Sequence, residues 1–231
     1  MSKNLFLIPI WKRPEITEIC LRNLQYFEQG VLCIVSRTDD AELCERLKVP
    51  YCWYPNDYLG AKWNHGLHVA KPMQWDYIVI LGSDDIIKAS LFDFYKSEED
   101  ILITDKIHFI EMATGKATLT TRARVGAGRR ISRKVLEACD YKLWTPEKNR
   151  SLDMDSNGTI MKAGFPCIEK RTDPHIVGLK SEVNIWSYQH LEMRGLNVKQ
   201  EEALKGVPDE TIAAIQALLP KPIEKTKFVL N

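Results

Sequence analysis

The sequence predicts one α/β domain built on a mostly parallel β-sheet that is flanked by helices. Short apolar runs alternate with segments whose apolar residues recur at helical spacing. The runs are apolar at consecutive positions, as expected for strands that are buried on both faces. The chain has 231 residues, 45% of them hydrophobic, which is enough to bury one sizeable core.

The first half of the chain supplies four strands and three helices in strict alternation. The strands are expected at 5–10, 31–36, 50–54 and 77–81, and the helices at about 14–29, 39–47 and 60–70. Pro14 suits the first turn of the first helix, and Gly30 ends it. The fourth run is strongly apolar, so it is expected to lie centrally. Alternating strands and helices joined by right-handed crossovers form a parallel, Rossmann-like sheet.

The second half is less regular. Strands are expected at 101–103, 107–112 and 117–121, with a hairpin turn at 114–116, and helices near 132–139, 153–163, 182–194 and 208–219. Pro220 stops the last helix. The remaining residues, 221–231, are expected to form an arm or tail.

Composition excludes several classes of protein. The 32 basic and 31 acidic residues nearly cancel, so the net charge of +1 indicates no class of partner. No run approaches the roughly 18 to 20 apolar residues of a transmembrane helix. The first apolar run is too short for a signal peptide, which favours a cytoplasmic location. The six scattered cysteines contain no CxxC pair and favour buried, reduced thiols over disulfides or a zinc site.

The sharpest chemical signal follows the fourth strand. Ligands of open parallel sheets bind outside the carboxyl ends of the strands, where this chain places polar loops at 11–13, 36–40, 54–57 and 82–85. In the last loop, the adjacent carboxylates of Asp84 and Asp85 repel each other unless a cation or shared protons neutralise them. Mg²⁺ and Mn²⁺ typically bind such carboxylates together with diphosphate oxygens. The alternative is that these acids begin a turn or cap a helix.

Three segments together resemble the donor half of family-2 GT-A glycosyltransferases. They are LIPIWKRP at 7–14, NDYLGAKWNHGL at 56–67 and WDYIVILGSDD at 75–85. The resemblance covers roughly residues 5–190. It implies a GT-A domain over 1–200, with a nucleotide-sugar half at 1–100 and an acceptor half at 101–200. Residues 201–231 would form a helical C-terminal extension.

The resemblance also implies roles for residues of the donor half. Asp85 would bind Mn²⁺ or Mg²⁺ as part of the family's acidic "DXD" element, and Asp84 would face the ribose or share the ion. Gly82 stands where the family often has another Asp. The first strand's exit loop and the Asn-x-Gly helix imply further donor contacts: Pro9, Trp11, Arg13, Lys62 and Asn64. Asp39 or Asp40 would meet the base of the nucleotide, expected to be a UDP-sugar, because Ser36-Arg37 replaces the family's usual Asp.

In the acceptor half, Ser151 to Ser156 resembles the family's acceptor motif at the start of a helix. The match implies that Asp153 is the general base of an inverting transfer, with Asp155 as the second choice. An inverting transfer needs such a carboxylate to take the proton of the attacking hydroxyl. The alternative is that Asp153 is a helix N-cap.

A late segment resembles a loop in which GT-A enzymes complete the donor site. In this chain it contains Asp173-Pro174-His175 and Gly178-Leu179-Lys180. The resemblance implies that His175 completes the metal shell and that Lys180 pairs with the diphosphate. The alternative is a structural histidine.

Six cations and no acid fall within thirteen residues around Gly126-Ala127-Gly128: Arg122, Arg124, Arg129, Arg130, Arg133 and Lys134. The family places this stretch beside the acceptor, which implies acceptor contacts by Arg124, Arg129 and Arg130. Such a cluster suits phosphates of the donor or of an anionic acceptor such as DNA. A hydroxymethylated DNA base, of the kind phage enzymes glycosylate, is one hypothesis. A solvated charged face is the alternative.

The sequence thus predicts a metal-assisted, inverting glycosyltransferase. A nucleotidyltransferase is the alternative within enzymes, although such enzymes usually carry a glycine-rich loop after the first strand and residues 11–14 contain no glycine. A non-catalytic nucleic-acid-binding module on a transferase scaffold is the alternative outside enzymes.

Overall fold

The computed structural model describes residues 3–121, 126–170, 172–182, 188, 192 and 195–220. The helices are α1 (Pro14–Tyr26), α2 (Thr38–Arg46), α3 (Leu59–Ala70), α4 (Ser90–Phe94), α5 (Arg133–Ala138), α6 (Leu152–Lys162), α7 (Gln200–Leu204) and α8 (Asp209–Leu218). The strands are β1 (Asn4–Pro9), β2 (Gly30–Val35), β3 (Tyr51–Trp53), β4 (Tyr77–Ile80), β5 (Asp85–Ile87), β6 (Ile101–Thr104), β7 (Lys106–Glu111), β8 (Ala117–Thr121), β9 (Arg129–Ser132), β10 (Ile168–Lys170), β11 (Ile176–Lys180) and β12 (Leu196–Val198).

The main sheet confirms the predicted parallel architecture. Its seven described strands follow the order β10-β6-β9-β4-β1-β2-β3. All of them run parallel except β9, which is antiparallel to both β4 and β6. The apolar fourth run forms the middle strand, as predicted. The antiparallel β9 was not predicted, because its Arg-Arg-Ile-Ser sequence does not resemble a buried strand.

A second sheet follows the order β12-β8-β7-β11-β5. The predicted hairpin is confirmed: β7 and β8 are antiparallel, and Gly115 occupies their turn with a φ of 73°. The short strand β5 was not predicted. It begins only a few residues after β4 ends in the first sheet, so the segment 81–84 passes from one sheet to the other. This junction positions the candidate site.

The core lies on both faces of the main sheet. Along β1, Phe6 and Ile8 pack with α1 and α2 on one face, whereas Leu5 and Leu7 pack with α3 on the other. The predicted C-terminal helix is confirmed as α8, and its buried Ile215 joins the α1 face of the core. The predicted helix at 182–194 lies largely outside the described residues, and the predicted tail at 221–231 lies wholly outside them.

Two further observations concern the predictions from composition. Across the described residues, no helix combines the length and apolar character that crossing a membrane requires. All six cysteines are free thiols, and Cys20, Cys33 and Cys44 are buried.

Candidate active site

The acidic pair lies at the junction between the two sheets. The Oδ2 atom of Asp85 accepts a hydrogen bond from the Gly82 amide at 2.8 Å, and Asp85 is only 6% exposed. Burial raises the pKa of Asp85 to about 7, with a further contribution from the negative charge of Asp84. The protein thus holds two adjacent carboxylates at this junction, one of them in a buried place that disfavours its ionised form.

Two cations neutralise Asp84. Its Oδ2 atom is 2.8 Å from Lys180 Nζ and 3.4 Å from Arg13 Nη1, while Arg13 Nη2 donates to Ser83 Oγ at 3.0 Å. Lys180 arrives because β11 is antiparallel to β5, with Gly178 opposite Asp85. Arg13 arrives from the exit of β1. The fold thus brings together three residues that the sequence predicted for the donor site, from three distant parts of the chain.

The exit loop of β1 has an unusual backbone. Lys12 and Arg13 both have left-handed φ values, 60° and 58°, without being glycine. Such residues cost of order 1 to 3 kcal/mol each and persist where the surroundings hold them. Here the Arg13 side chain is held by Asp84 and Ser83. The neighbouring Trp11 ring lies 5.4 Å from Lys12 Nζ.

Lys62 supports this loop through hydrogen bonds. It is fully buried and donates to the Ile10 carbonyl at 2.7 Å and to Asn56 Oδ1 at 3.0 Å, so it ties together the exits of β1 and β3. Burial lowers the pKa of Lys62 to about 8, opposed by the nearby Asp40. The predicted donor contact of Lys62 is therefore replaced by a supporting position under the loops.

Pro9 and Asp39 lie at the same edge of the main sheet. Pro9 ends β1, and the exposed Asp39 forms an ion pair with Arg37 at 2.7 Å. Asp40, the other candidate for a base contact, is buried.

Asn64 does not lie free for a donor. Its Nδ2 donates to the Trp144 carbonyl at 2.7 Å, and its Oδ1 accepts from the amides of Leu143 and Trp144 at 3.0 and 3.2 Å. At Gly66, a Cβ would lie 2.4 Å from the Cδ1 atom of Ile34 on β2. The Asn-x-Gly pattern therefore serves packing, because it anchors the segment before α6 and lets α3 approach the sheet.

His175 does not join Asp85. The β11–β5 ladder places His175 beside Lys88, whose amide donates to the His175 carbonyl at 2.9 Å, three positions from Asp85. Three positions correspond to about 10 Å along a strand. The Nδ1 of His175 lies 2.9 Å from Ser90 Oγ, its ring stacks on Phe94, and burial lowers its pKa. The arrangement therefore gives no support to the predicted metal contact of His175. Among the described residues, no group of three or more His, Cys, Asp or Glu side chains is suited to a metal ion.

Asp153 lies at the start of α6, directly beside the loop 126–128. A Cβ on Gly126 would lie 2.0 Å from Asp153 Oδ1, and the amide of Gly126 donates to this carboxylate. Arg129 Nη2 lies 3.8 Å from the same oxygen. The Asp153 side chain remains 48% exposed. Desolvation raises the pKa of Asp153, while Arg129 opposes the shift.

The same loop connects Asp153 to the strand that leads into the acidic pair. Gly128 donates its amide to the carbonyl of Ile80, the last residue of β4, at 2.8 Å. Arg129 is also the ladder partner of Ile80. Asp153 and the segment carrying Asp84 therefore both adjoin the carboxyl end of β4. The resemblance predicted that the stretch at 126–128 lies beside the acceptor, but the sequence did not show that Asp153 approaches it.

Asp155 has a structural place. Its carboxylate accepts hydrogen bonds from the Thr145 amide at 2.6 Å, from the Thr145 hydroxyl at 3.1 Å and from Lys148 Nζ. Desolvation would raise the pKa of Asp155, but these donors outweigh it and hold the pKa below its ordinary value. Asp155 thus fastens the preceding loop to α6, and its carboxylate is already engaged by these donors.

The basic cluster is dispersed. Arg130 is buried and donates to the carbonyls of Tyr95, Ser97 and Glu99, so it is not available to an acceptor. Arg129 is buried beside Asp153. Arg133 binds the carbonyls of Lys71, Met73 and Trp75, and Lys134 pairs with Asp100. Arg122 and Arg124 lie outside the described residues. The described members therefore form no common basic surface.

No protein-family model and no curated protein sequence matches the chain. Solved structures do resemble it. Residues 1–349 of S. aureus TarS give a TM-score of 0.55 at 15% identity, covering 77% of this chain and 60% of that one. The inositol-1-phosphate CTP transferase of T. maritima gives 0.51 at 9% identity, covering 90% and 99%. The 4-diphosphocytidyl-2C-methyl-D-erythritol synthase of Anaerococcus prevotii gives 0.52 at 11% identity, covering 84% and 96%.

At these identities the likeness establishes the fold. The predicted GT-A-like α/β fold is confirmed. The chain spans 60% of the TarS fragment's length.

Proposed function

We propose that this protein is a transferase for a nucleotide-activated substrate, and specifically a glycosyltransferase that moves a sugar from a nucleoside diphosphate to a hydroxyl. One observation carries the proposal: the Arg13–Asp84–Lys180 ion triad and the half-exposed Asp153 both adjoin the carboxyl end of β4. This is the edge at which open α/β sheets bind their ligands. S. aureus TarS is among the proteins with a similar fold.

The donor is proposed to be a UDP-sugar. Arg13 and Lys180 are the cations at the junction, and they suit the two phosphates of the donor and of the departing diphosphate. Trp11, at the exit of β1, and Asp39, after β2, lie at the edge of the main sheet and are proposed to meet the nucleoside. Lys62 acts from beneath by holding the exit loops in place.

Asp84 and Asp85 fit a divalent cation in their chemistry. They provide neighbouring carboxylate oxygens, the ligand type that Mg²⁺ and Mn²⁺ prefer. Asp84 is paired with Arg13 and Lys180, whereas the hydrogen bond described for the buried Asp85 carboxylate comes from the Gly82 amide. We therefore propose that these two carboxylates hold Mn²⁺ or Mg²⁺, without His175. When bound, such an ion neutralises charge on the departing diphosphate.

Asp153 is the proposed general base. It takes the proton of the acceptor hydroxyl as that oxygen bonds to the anomeric carbon, while the bond from this carbon to the diphosphate oxygen breaks. Attack from the side opposite the leaving group inverts the anomeric centre. The half-exposed carboxylate is open to an acceptor from solvent. The described basic residues add no support for DNA as that acceptor.

Nucleotidyl transfer is the second candidate. Two cytidylyl-transferring enzymes align along nearly their whole length with this chain, covering 90% and 84% of it. In such a reaction the phosphate of the substrate bonds to the α-phosphorus of a nucleoside triphosphate, while the bond between the α- and β-phosphates breaks and pyrophosphate leaves. Sugar transfer is favoured because the exit loop of β1 contains no glycine and presents one arginine to the acidic pair.

A ligand screen separates the two reactions. UDP-glucose, UDP-N-acetylglucosamine, GDP-mannose and CTP are tested with Mn²⁺ by thermal shift, since a ligand of the folded state raises the melting temperature. We expect a UDP-sugar to stabilise the protein and to be hydrolysed slowly to UDP. Stabilisation by CTP alone, with pyrophosphate release from CTP and a sugar phosphate, would establish nucleotidyl transfer instead. Absence of both effects would refute both proposals.

Two variants then test the residues. Asp85→Ala should lose the Mn²⁺-dependent part of donor binding, and unchanged binding would overturn the metal assignment. Asp153→Asn should bind the donor normally but lose hydrolysis by about 100-fold or more, the usual contribution of a general base. The matched control is Asp155→Asn on the same helix, which should retain hydrolysis. Equal activity of the two variants would refute Asp153 as the base.

A further inference from the structure

We infer that Arg129 is the positioning residue of Asp153: its buried guanidinium holds the carboxylate in place and favours its ionised form. The sequence predicted Arg129 to contact the acceptor, but the structure gives it no exposed surface. The inference rests on the proposed function, because it assigns Arg129 a role through the proposed base.

The geometry of Arg129 supports a clamp on the first turn of α6. Arg129 Nη1 donates to Ser156 Oγ, and Nη2 donates to the main-chain carbonyl of Asp153 at 3.5 Å. The same Nη2 lies 3.8 Å from Asp153 Oδ1. One rigid, planar group thus contacts the helix backbone and the catalytic side chain together. Because β9 holds Arg129 against the end of β4, the clamp also fixes α6 relative to the acidic junction.

The charges add an electrostatic reason. A fully buried cation is costly unless it is paired, and the ion pair described for Arg129 is with Asp153. Protonation of Asp153 would leave the guanidinium without this counter-charge, so Arg129 opposes protonation. The other groups facing the pair among the described residues are the Gly126 amide on Asp153 and the Cys167 thiol near Arg129. Lys148 is engaged with Asp155.

The carboxylate is held on one side and open on the other. Gly126 leaves no room for a side chain beside Asp153 Oδ1, yet about half of the Asp153 side chain remains exposed. A base needs both properties, because it must keep its orientation and still reach the hydroxyl of an acceptor.

The test is a titration of the Asp153 carboxyl in the full-length protein. The ¹³C signal of this carboxyl is assigned by its loss in Asp153→Asn and followed against pH. An opposite charge within about 4 to 6 Å favours the ionised carboxylate, and an arginine next to an aspartate lowers its pKa by about 1 to 3 units. We therefore expect Arg129→Met to raise the pKa of Asp153 by about one unit. At a pH well below the titration midpoint of the parent protein, the ionised fraction of Asp153 should then be about tenfold lower in the variant. Arg129→Lys should recover part of the shift.

Controls keep the result interpretable. Arg133→Met removes a nearby arginine that binds the carbonyl of Trp75, and it should leave the pKa of Asp153 unchanged. If Arg129→Met does not fold, Arg129→Lys and Arg129→Gln carry the test. An unchanged midpoint in a folded variant that lacks the charge overturns the inference.

Catalysis supplies a second readout. With the donor found in the screen, Arg129→Met should move the acidic limb of the pH–rate profile for hydrolysis to higher pH and lower kcat, with KM for the donor unchanged. A rise in KM alone would indicate donor binding and contradict the positioning role. If Asp153→Asn keeps full activity, the proposed base fails. If Asp153→Asn is inactive but Arg129→Met titrates like the parent protein, only the role of Arg129 fails.

Discussion

Two mid-helix glycines should respond in opposite ways to the same substitution. Gly66 lies inside α3 and faces the main sheet, and a Cβ there would lie 2.4 Å from Ile34 Cδ1 and 3.0 Å from Leu7 Cδ1. Gly158 lies inside α6, and a Cβ there would meet nothing within 4 Å. We expect Gly66→Ala to destabilise the protein and Gly158→Ala to stabilise it.

The magnitudes follow from two terms. Alanine favours a helix over glycine by about 0.8 to 1 kcal/mol, and this gain applies at both positions. At position 66 the new methyl group also overpacks the core, which typically costs about 1 to 3 kcal/mol. Ile34 and Leu7 are fully buried, so neither side chain can swing into solvent to make room. The two variants should therefore differ by about 1 to 3 kcal/mol in the free energy of unfolding.

Urea unfolding and thermal melts of the two variants and the parent protein provide the measurement. For a chain of this size, each kcal/mol shifts the melting temperature by about 2 to 4 °C. Equal stability of Gly66→Ala and Gly158→Ala would refute the reasoning, because it would show that α3 has room for a methyl group against β2. The Asn-x-Gly pattern would then need an explanation other than close packing.

Three further outcomes are expected. Asn64→Leu leaves the amides and carbonyl of segment 143–144 without their hydrogen-bond partners. Urea unfolding should show that the free energy of unfolding falls by about 2 kcal/mol or more, and a fall below half of that would contradict the anchoring role. Arg130→Met should destabilise the protein by about 2 kcal/mol or more for the same reason, and it should leave the salt dependence of any DNA binding unchanged, as measured by titration. Burial, reinforced by the Lys88 charge, lowers the pKa of His108 to about 4. Between about pH 6.5 and 4 the imidazole therefore binds a proton in the unfolded chain but not in the folded protein. The free energy of unfolding should decrease as the pH falls through this window. His108→Phe should flatten that dependence, and an equally steep loss in the variant would show that other groups cause it.

The parallel half of the fold was predictable because each strand can be recognised from its own short run of residues. The runs at β1, β2 and β4 are apolar at successive positions. They are separated by segments whose apolar residues recur at helical spacing. The carboxyl ends of parallel strands meet at one edge, so the location of Asp84 and Asp85 followed from the same pattern. Lys180 was predicted through a resemblance, and the structure places its ammonium on Asp84.

Other features were not predictable from local patterns. Strand β5 has three residues and β9 carries two arginines, so each is a strand only because a neighbouring strand pairs with it. The charge pattern around residue 130 suggested a basic surface, but Arg129 and Arg130 turn inwards to carbonyls and to Asp153. A cluster of basic residues in the sequence shows how many cations are present, but it does not show which way each side chain points. In a strand, successive side chains point to opposite faces of the sheet.

The sequence by itself determined the α/β class, the order of the first four strands and the three helices between them, and the edge of the sheet at which the carboxylates lie. These features depend on the spacing of apolar residues and on the preferences of individual residues for strands and turns, both of which act over a few neighbouring residues. Only the tertiary structure decided which side chains meet there. The register of β11 against β5 sets Lys180 on Asp84 and carries His175 away from Asp85, while the loop 126–128 brings Asp153 to the end of β4. Contacts between residues far apart in the chain depend on strand register and packing, which local sequence patterns do not encode.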